Sequence, residues 1–281
     1  MNQRIDEVEK YYKPIEICEA WTGYLFVLGA ILSIAALHSE TLNIKGLDQV
    51  LNILFLISVV LHSVLTHFSG FYLIPRAENT RRKQLISNSL DVPLTPEQTN
   101  LYYNNEVAPS FVRLGVNVLE NSFFAKNVCN EMAKLERVKV LLYFCFWFFA
   151  ILYRDTDLGL LLILTQILFS SDILIRWLKI EVLRARNESI YEKLYSLFLN
   201  KVDSENKKHI GSILDAFASY EAAKSSASIK QSTKIFNKVN QKLTREWNGI
   251  RDRLGIENSD SNNAIHPTAT VAGAPSASGD G

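Results

Sequence analysis

Two long stretches of this chain carry no Asp, Glu, Lys or Arg, and they constrain its fold more than any other feature. One runs from Ala20 to Ser39, between Glu19 and Glu40. The other runs from Gln49 to Pro75, between Asp48 and Arg76. A helix rises about 1.5 Å per residue, so about 20 apolar residues cross the hydrocarbon core of a bilayer. Both stretches therefore predict transmembrane helices, joined by a short linker. Composition adds little by itself. Lys and Arg number 30 against 29 Asp and Glu, for a net charge of +1. That balance gives no argument for a nucleic-acid polymer as partner, and the segregation of charge along the chain matters more.

A second pair of spans is expected further on. Val140 to Tyr153 is free of charge but short, with Lys139 and Arg154 at its ends, where long basic stems reach back to the interface. Leu158 to Leu178 is long enough but contains Asp172 and Arg176. Four residues apart near one end of a helix, these two are expected to pair on one face, as an intramembrane ion pair. The linker Arg154-Asp155-Thr156-Asp157 permits only a hairpin. A buried hairpin of a soluble protein is the competing reading.

Orientation follows from where Lys and Arg cluster. The linker near 40–48 holds only Lys45, and the second turn only Arg154. Arg76, Arg81, Arg82 and Lys83 follow the second span. Lys126, Lys134, Arg137 and Lys139 precede the third, and Lys179, Arg184, Arg186 and Lys193 follow the fourth. Both ends and the middle segment are thus expected in the cytoplasm, as parts of a multi-pass membrane protein. Trp21, Tyr24, Tyr72, Tyr153 and Trp177 sit where an aromatic belt is expected. The expected organisation is all-α, with two transmembrane hairpins. Residues 1–19 form a cytoplasmic N-terminal segment, 20–75 the first hairpin and 76–137 a cytoplasmic middle segment. Residues 138–178 form the second hairpin, 179–256 a cytoplasmic helical region and 257–281 a disordered tail rich in Ser, Asn, Ala and Gly. The start of the chain lacks the pattern of a cleaved signal peptide.

Within the cytoplasmic parts, Pro75, Pro93 and Pro96 suggest turns in the first half of the middle segment. Thr95-Pro96-Glu97-Gln98 has the form of a helix start. A helix is expected from Pro109, carrying Phe111, Leu114, Val118, Phe123 and Val128 toward the membrane. The fourth span has no proline to stop it before about Asn200 and is expected to continue as one helix. Two more helices are expected near 204–224 and 228–254. In the last, Ile229, Phe236, Leu243 and Ile250 recur every seven residues beside Val239, Trp247 and Leu254. Such a stripe suits packing within the subunit or a partner helix of a homo-oligomer.

No arrangement with catalytic spacing is present: no phosphate-binding glycine loop, no HExxH and no GxSxG. Cys18, Cys129 and Cys145 are dispersed and predict reduced thiols. His62 and His67 are five residues apart with no carboxylate in their span, a poor metal site. The chain is therefore expected to be no enzyme and to hold no metal or cofactor. More informative is a polar arc on the second span, where Ser58, His62, Thr66 and Ser69 share one face with Asn52 and Ser63 alongside. The fourth span adds Gln166 and Ser170, with Gly159. Such residues line a water-filled path or hydrogen-bond between helices. Thr22, Gly29, Ser33 and Ala36 form a small-residue stripe suited to close packing. The basic run at Arg81, Arg82 and Lys83 sets topology and meets anionic lipid, and its chemistry also suits the phosphates of a nucleotide.

Several strings in the middle segment stand out together: Arg81-Arg82-Lys83-Gln84-Leu85-Ile86-Ser87-Asn88, Tyr102-Tyr103-Asn104-Asn105, Arg113-Leu114-Gly115-Val116-Asn117 and Glu120-Asn121-Ser122-Phe123-Phe124. Set between two transmembrane hairpins, over roughly residues 15–255, they resemble a bacterial family of four-helix pore-forming effectors associated with SMODS-type cyclic-oligonucleotide synthases. The resemblance implies an antiphage effector that disrupts the inner membrane when a cyclic oligonucleotide arrives from a partner synthase. Under that reading Arg81, Arg82, Lys83, Tyr102, Tyr103, Asn104 and Asn105 receive the signal or fold the cytoplasmic cap. Ser58, His62, Thr66, Gln166 and Ser170 are pore-lining candidates of an oligomer. A transporter or a non-conducting scaffold or sensor is the alternative.

Overall fold

The computed structural model describes residues 5–39, 46–100, 102, 103, 105, 107–152, 158, 159, 161, 165 and 171–256. The chain is mostly helical and divides into two compact units. One comprises Lys13–Leu73 and Ala133–Lys179; the other draws on Met1–Tyr12, Ile74–Met132 and Ile180–Gly281.

In the first unit, α1 (Lys13–His38) and α2 (Leu47–Phe68) pack together. Thr22 meets His62 and Gly29 meets Ser58, so the two helices run antiparallel as a hairpin. A Cβ on Gly29 would lie 3.2 Å from Ser58 Oγ, which explains why the small-residue stripe holds a glycine there. Many apolar residues point outward: Ile17, Trp21, Tyr24, Val27 and Ile31 on α1, and Ile53, Leu56, Val60, Val64 and Phe68 on α2, are exposed. Two helical stretches, Glu7–Ala36 and Leu47–Leu90, are long and apolar enough to cross a membrane, and only 6% of the apolar window of each is buried. An aqueous protein would bury such a surface.

The same unit contains the later part of α4 (Phe111–Leu152), where Leu141, Leu142, Phe146, Phe149 and Leu152 are exposed. Trp147 Nε1 donates to Thr165 Oγ1 at 2.8 Å, which joins the expected third span to the fourth. The turn at 153–157 and most of the fourth span lie outside the described residues.

Pro75 does not end the second span in a turn, as expected. It removes one backbone donor, and the helix absorbs that loss by widening into a π turn over Ser69–Leu73 just ahead of it. The helix then continues as α3 (Ile74–Leu90) and stops at Asp91, whose φ of 56° is left-handed. The helix expected at Thr95 is absent. Thr95 Oγ1 instead donates to the Glu97 carboxylate, and the chain runs on into a strand.

That strand, β2 (Thr99–Asn100), pairs antiparallel with β1 (Ile5–Asp6), Ile5 opposite Asn100 and Asp6 opposite Thr99. An all-α reading missed this ribbon because each strand is only two residues long. A 3-10 turn over Glu7–Tyr11 follows β1.

The core of the second unit is a layer of helices: α3, the first part of α4, α5 (Arg176–Leu199), α6 (Lys207–Ala227) and α7 (Thr233–Leu254). The fourth span's expected continuation is present over the described part, as a π turn (Ser171–Ile175) leading directly into α5. Asn206 and Ser232 cap α6 and α7, and Gly255 in the left-handed region ends α7. Leu114, Val118, Phe123 and Val128 are buried, so this face of α4 builds a protein core and does not present itself to lipid. Phe236, Leu243, Trp247 and Ile250 of α7 are buried within the subunit, whereas Ile229 precedes the helix.

Candidate functional site

The ribbon has one evident consequence: it fixes Asp6 in the core of the helical unit. Arg81 on α3 donates through both terminal nitrogens to the two Asp6 carboxylate oxygens, at 3.0 and 2.9 Å. The Arg81 guanidinium also lies over the Tyr102 ring at 4.7 Å and near the Tyr12 ring at 5.7 Å. Arg81 is 1% exposed and Tyr102 2%. A guanidinium so enclosed is committed to its carboxylate and its aromatic faces.

A second charged centre adjoins through Tyr12, whose hydroxyl donates to Glu78 Oε1 at 3.2 Å. Glu78 also pairs with Lys224 of α6 at 2.5 Å, and Lys224 reaches Glu221 at 3.3 Å. Burial works against the Lys224 charge, but Glu78 and then Glu221 outweigh it and hold the ammonium above the usual lysine range. Burial in turn raises the Glu221 carboxyl. Sequence reasoning missed Asp6, Glu78, Glu221 and Lys224. Lys224 did leave a signal: it falls on the apolar face of α6 among Ile213, Ala216, Tyr220 and Ala227.

The YYNN and RLGVN strings meet in an amide network. Asn105 Nδ2 donates to Asn117 Oδ1 at 2.8 Å, and Asn117 Nδ2 donates to Ser89 Oγ at 2.9 Å and Asn88 Oδ1 at 3.1 Å. Asn121 Nδ2 donates to Tyr103 Oη at 2.9 Å. Asn104 lies outside the described residues.

The seven ligand candidates thus divide. Arg81, Tyr102, Tyr103 and Asn105 are held by protein partners. Arg82 and Lys83 face outward, Arg82 donating to Asn79 Oδ1. A surface groove of about 460 Å³ between α5 and α6 adds Arg186 and Lys193, but Lys193 is ion-paired with Asp215, and Arg186 donates to Ser226 Oγ at 2.6 Å.

In the other unit, the structure turns the polar arc toward α1. Ser58 is buried, its hydroxyl donating to Phe55 O at 2.7 Å. His62 Nδ1 donates to Thr22 O at 3.0 Å, which places the ring proton on that nitrogen. Thr66 Oγ1 is buried without a hydrogen-bond partner. Gln166 and Ser170 lie outside the described residues. So does the Asp172 side chain, and the expected ion pair with it. Arg176 Nε lies 3.6 Å from Glu136 Oε1, an oxygen that also accepts from Lys139 at 3.0 Å.

Among the described residues, no group of three or more His, Cys, Asp or Glu side chains is placed to hold a metal ion. No protein-family model matches the chain, and no curated protein or solved structure is significantly similar to it.

Proposed function

We propose that this chain is a non-enzymatic, multi-pass inner-membrane effector that forms a pore as a homo-oligomer when a cyclic oligonucleotide signal reaches its cytoplasmic helical unit. The observation that carries the membrane part is the outward apolar surface of α1 and α2, of which so little is buried. The signalling part rests on the resemblance of the RRK, YYNN and ENSFF strings. Arg82 and Lys83 are the cations in those strings left facing outward, and they are the natural first contacts for phosphates. A signal acts by binding one state of the protein better than another, so the resting protein must be closed.

The test is ion leakage from liposomes carrying the purified protein, with and without cyclic di- and trinucleotides. Leakage that appears only with a nucleotide, and is lost in Arg82→Ala/Lys83→Ala, supports the reading. Absence of leakage with every nucleotide tried overturns the pore.

One observation favours a second reading, a non-conducting membrane scaffold or sensor. Ser58 and His62 find their partners inside the hairpin, as helix-packing groups do. Leucine at position 58 would collide with Gly29, so the discriminating variants must be small. Ser58→Ala and Thr66→Val change leakage if these residues line a path, and leave it unchanged if they only pack.

A further inference from the structure

Glu120, in the ENSFF string, is fully buried, and neither of its carboxyl oxygens has a hydrogen-bond partner. Its surroundings follow from how α7 lies along α4. Met132 Sδ accepts from Ser232 N at 3.4 Å, the Phe124 and Phe236 rings are 6.2 Å apart, and Phe123 and Trp247 are 6.0 Å apart. These contacts set α7 against this stretch of α4. Glu120 lies one turn before Phe123 and Arg251 one turn after Trp247, and the charges of the two act on each other. Trp247 Nε1 is also buried without a hydrogen-bond partner. Arg251 thus acts on a carboxyl neither of whose oxygens is hydrogen-bonded.

Among the described residues, α5 brings Glu188 and Glu192 to Lys126 and Arg184 to Cys129, further along α4, and none of them is among the charges that act on Glu120. The 102–105 segment contributes the Tyr103 hydroxyl, at Asn121, and α5 contributes Tyr191, 5.7 Å from Phe123 with Lys126 over its ring. The approach of α3 is through Asn88 and Ser89, and that of α6 through Ile213 at Gly115. Arg251 is the charge that acts on Glu120. Burial nonetheless outweighs it and pushes the Glu120 carboxyl up to about 8.

We propose that Glu120 and Arg251 form a proton-operated lock between α4 and α7, in which the neutral carboxyl keeps α7 seated and its ionisation releases α7. The step is the transfer of one proton from the Glu120 carboxyl to solvent. The carboxylate left behind has no donor in the seated arrangement. It gains one only when α7 moves enough for Arg251, the Trp247 indole or water to reach it. This lock stands independently of whether the protein conducts ions.

The experiment is amide hydrogen exchange over residues 233–254 of the full chain in detergent micelles, from about pH 6 to about pH 9.5, corrected for the intrinsic pH dependence of exchange. The expected result is a fall in protection of about tenfold per pH unit from about pH 6 to about pH 8, levelling off above that, because ionisation favours release only while the seated carboxyl still holds its proton. Glu120→Gln keeps protection flat. Arg251→Met removes the favourable charge and moves the point where the fall levels off to higher pH. Flat protection in the unmodified protein, or an equal fall in Glu120→Gln, overturns the lock. If Glu120→Gln does not fold, the levelling-off point in Arg251→Met decides, and an unmoved point overturns the proposal.

Discussion

Arg81 and Asp6 meet in a two-point ion pair although 75 positions separate them, and both side chains are only 2% exposed. The pair ties β1, and with it the start of the chain, to α3. Removing one partner leaves a buried charge uncompensated, at about 3–5 kcal/mol. Asp6→Ala and Arg81→Met are therefore each expected to lower the thermal midpoint strongly. Asp6→Ala/Arg81→Met removes both charges and is expected to fall between the single variants and the unmodified protein. Additive losses in the double variant would mean that the two charges are not coupled.

Gly115 explains the glycine of the RLGVN string. A Cβ there would stand 3.0 and 3.1 Å from Ile213 Cγ1 and Cδ1 and 3.1 Å from Phe198 Cζ. Alanine gains about 1 kcal/mol of helix propensity, while overpacking a core costs about 1–3 kcal/mol. The packing term wins, so Gly115→Ala is expected to destabilise the helical unit. Adding Ile213→Val, which deletes Cδ1, is expected to recover part of the loss. Denaturant unfolding of the three variants checks the order.

Glu97 sets a dependence on acid. Hydrogen bonds from Thr95 and then Tyr11 lower its carboxyl from 4.5 to about 2. Because the folded value lies below the unfolded one, its contribution is complete above about pH 4.5 and disappears as pH falls toward about 2. Glu97→Gln is expected to be less stable at neutral pH and to lose less stability between those two values. An unchanged acid-unfolding curve in the variant would show that Glu97 does not anchor Tyr11.

The membrane orientation is tested by reporter fusions. With both ends inside, reporters at Lys45 and Thr156 are expected in the periplasm, and reporters at Pro93 and Asp203 in the cytoplasm. Pro93 and Asp203 lie between helices, so insertion there spares helical hydrogen bonds. A cytoplasmic signal at Thr156 would remove the second hairpin.

What the sequence determined by itself was local. A charge-free run specifies an apolar helix whatever surrounds it, because the length that crosses a bilayer is a property of the run. The heptad stripe on α7 and the glycine opposite Ser58 were legible for the same reason: helical spacing puts those residues on one face. Pro75 misled because its meaning depends on whether the preceding turn can widen, which a short-range rule does not decide.

Only the tertiary structure decided what the charges do. Arg81, Arg82 and Lys83 look alike in the sequence, yet α3 turns Arg81 into the core and leaves its two neighbours outside. That burial is tolerable because a two-residue strand carries Asp6 to it. Glu120 is the converse case. The sequence shows an acid among apolar residues, and only the packing of α7 on α4 shows that neither of its oxygens is hydrogen-bonded. Pairing energy in a buried site belongs to the pair, and its second member lies elsewhere in the chain.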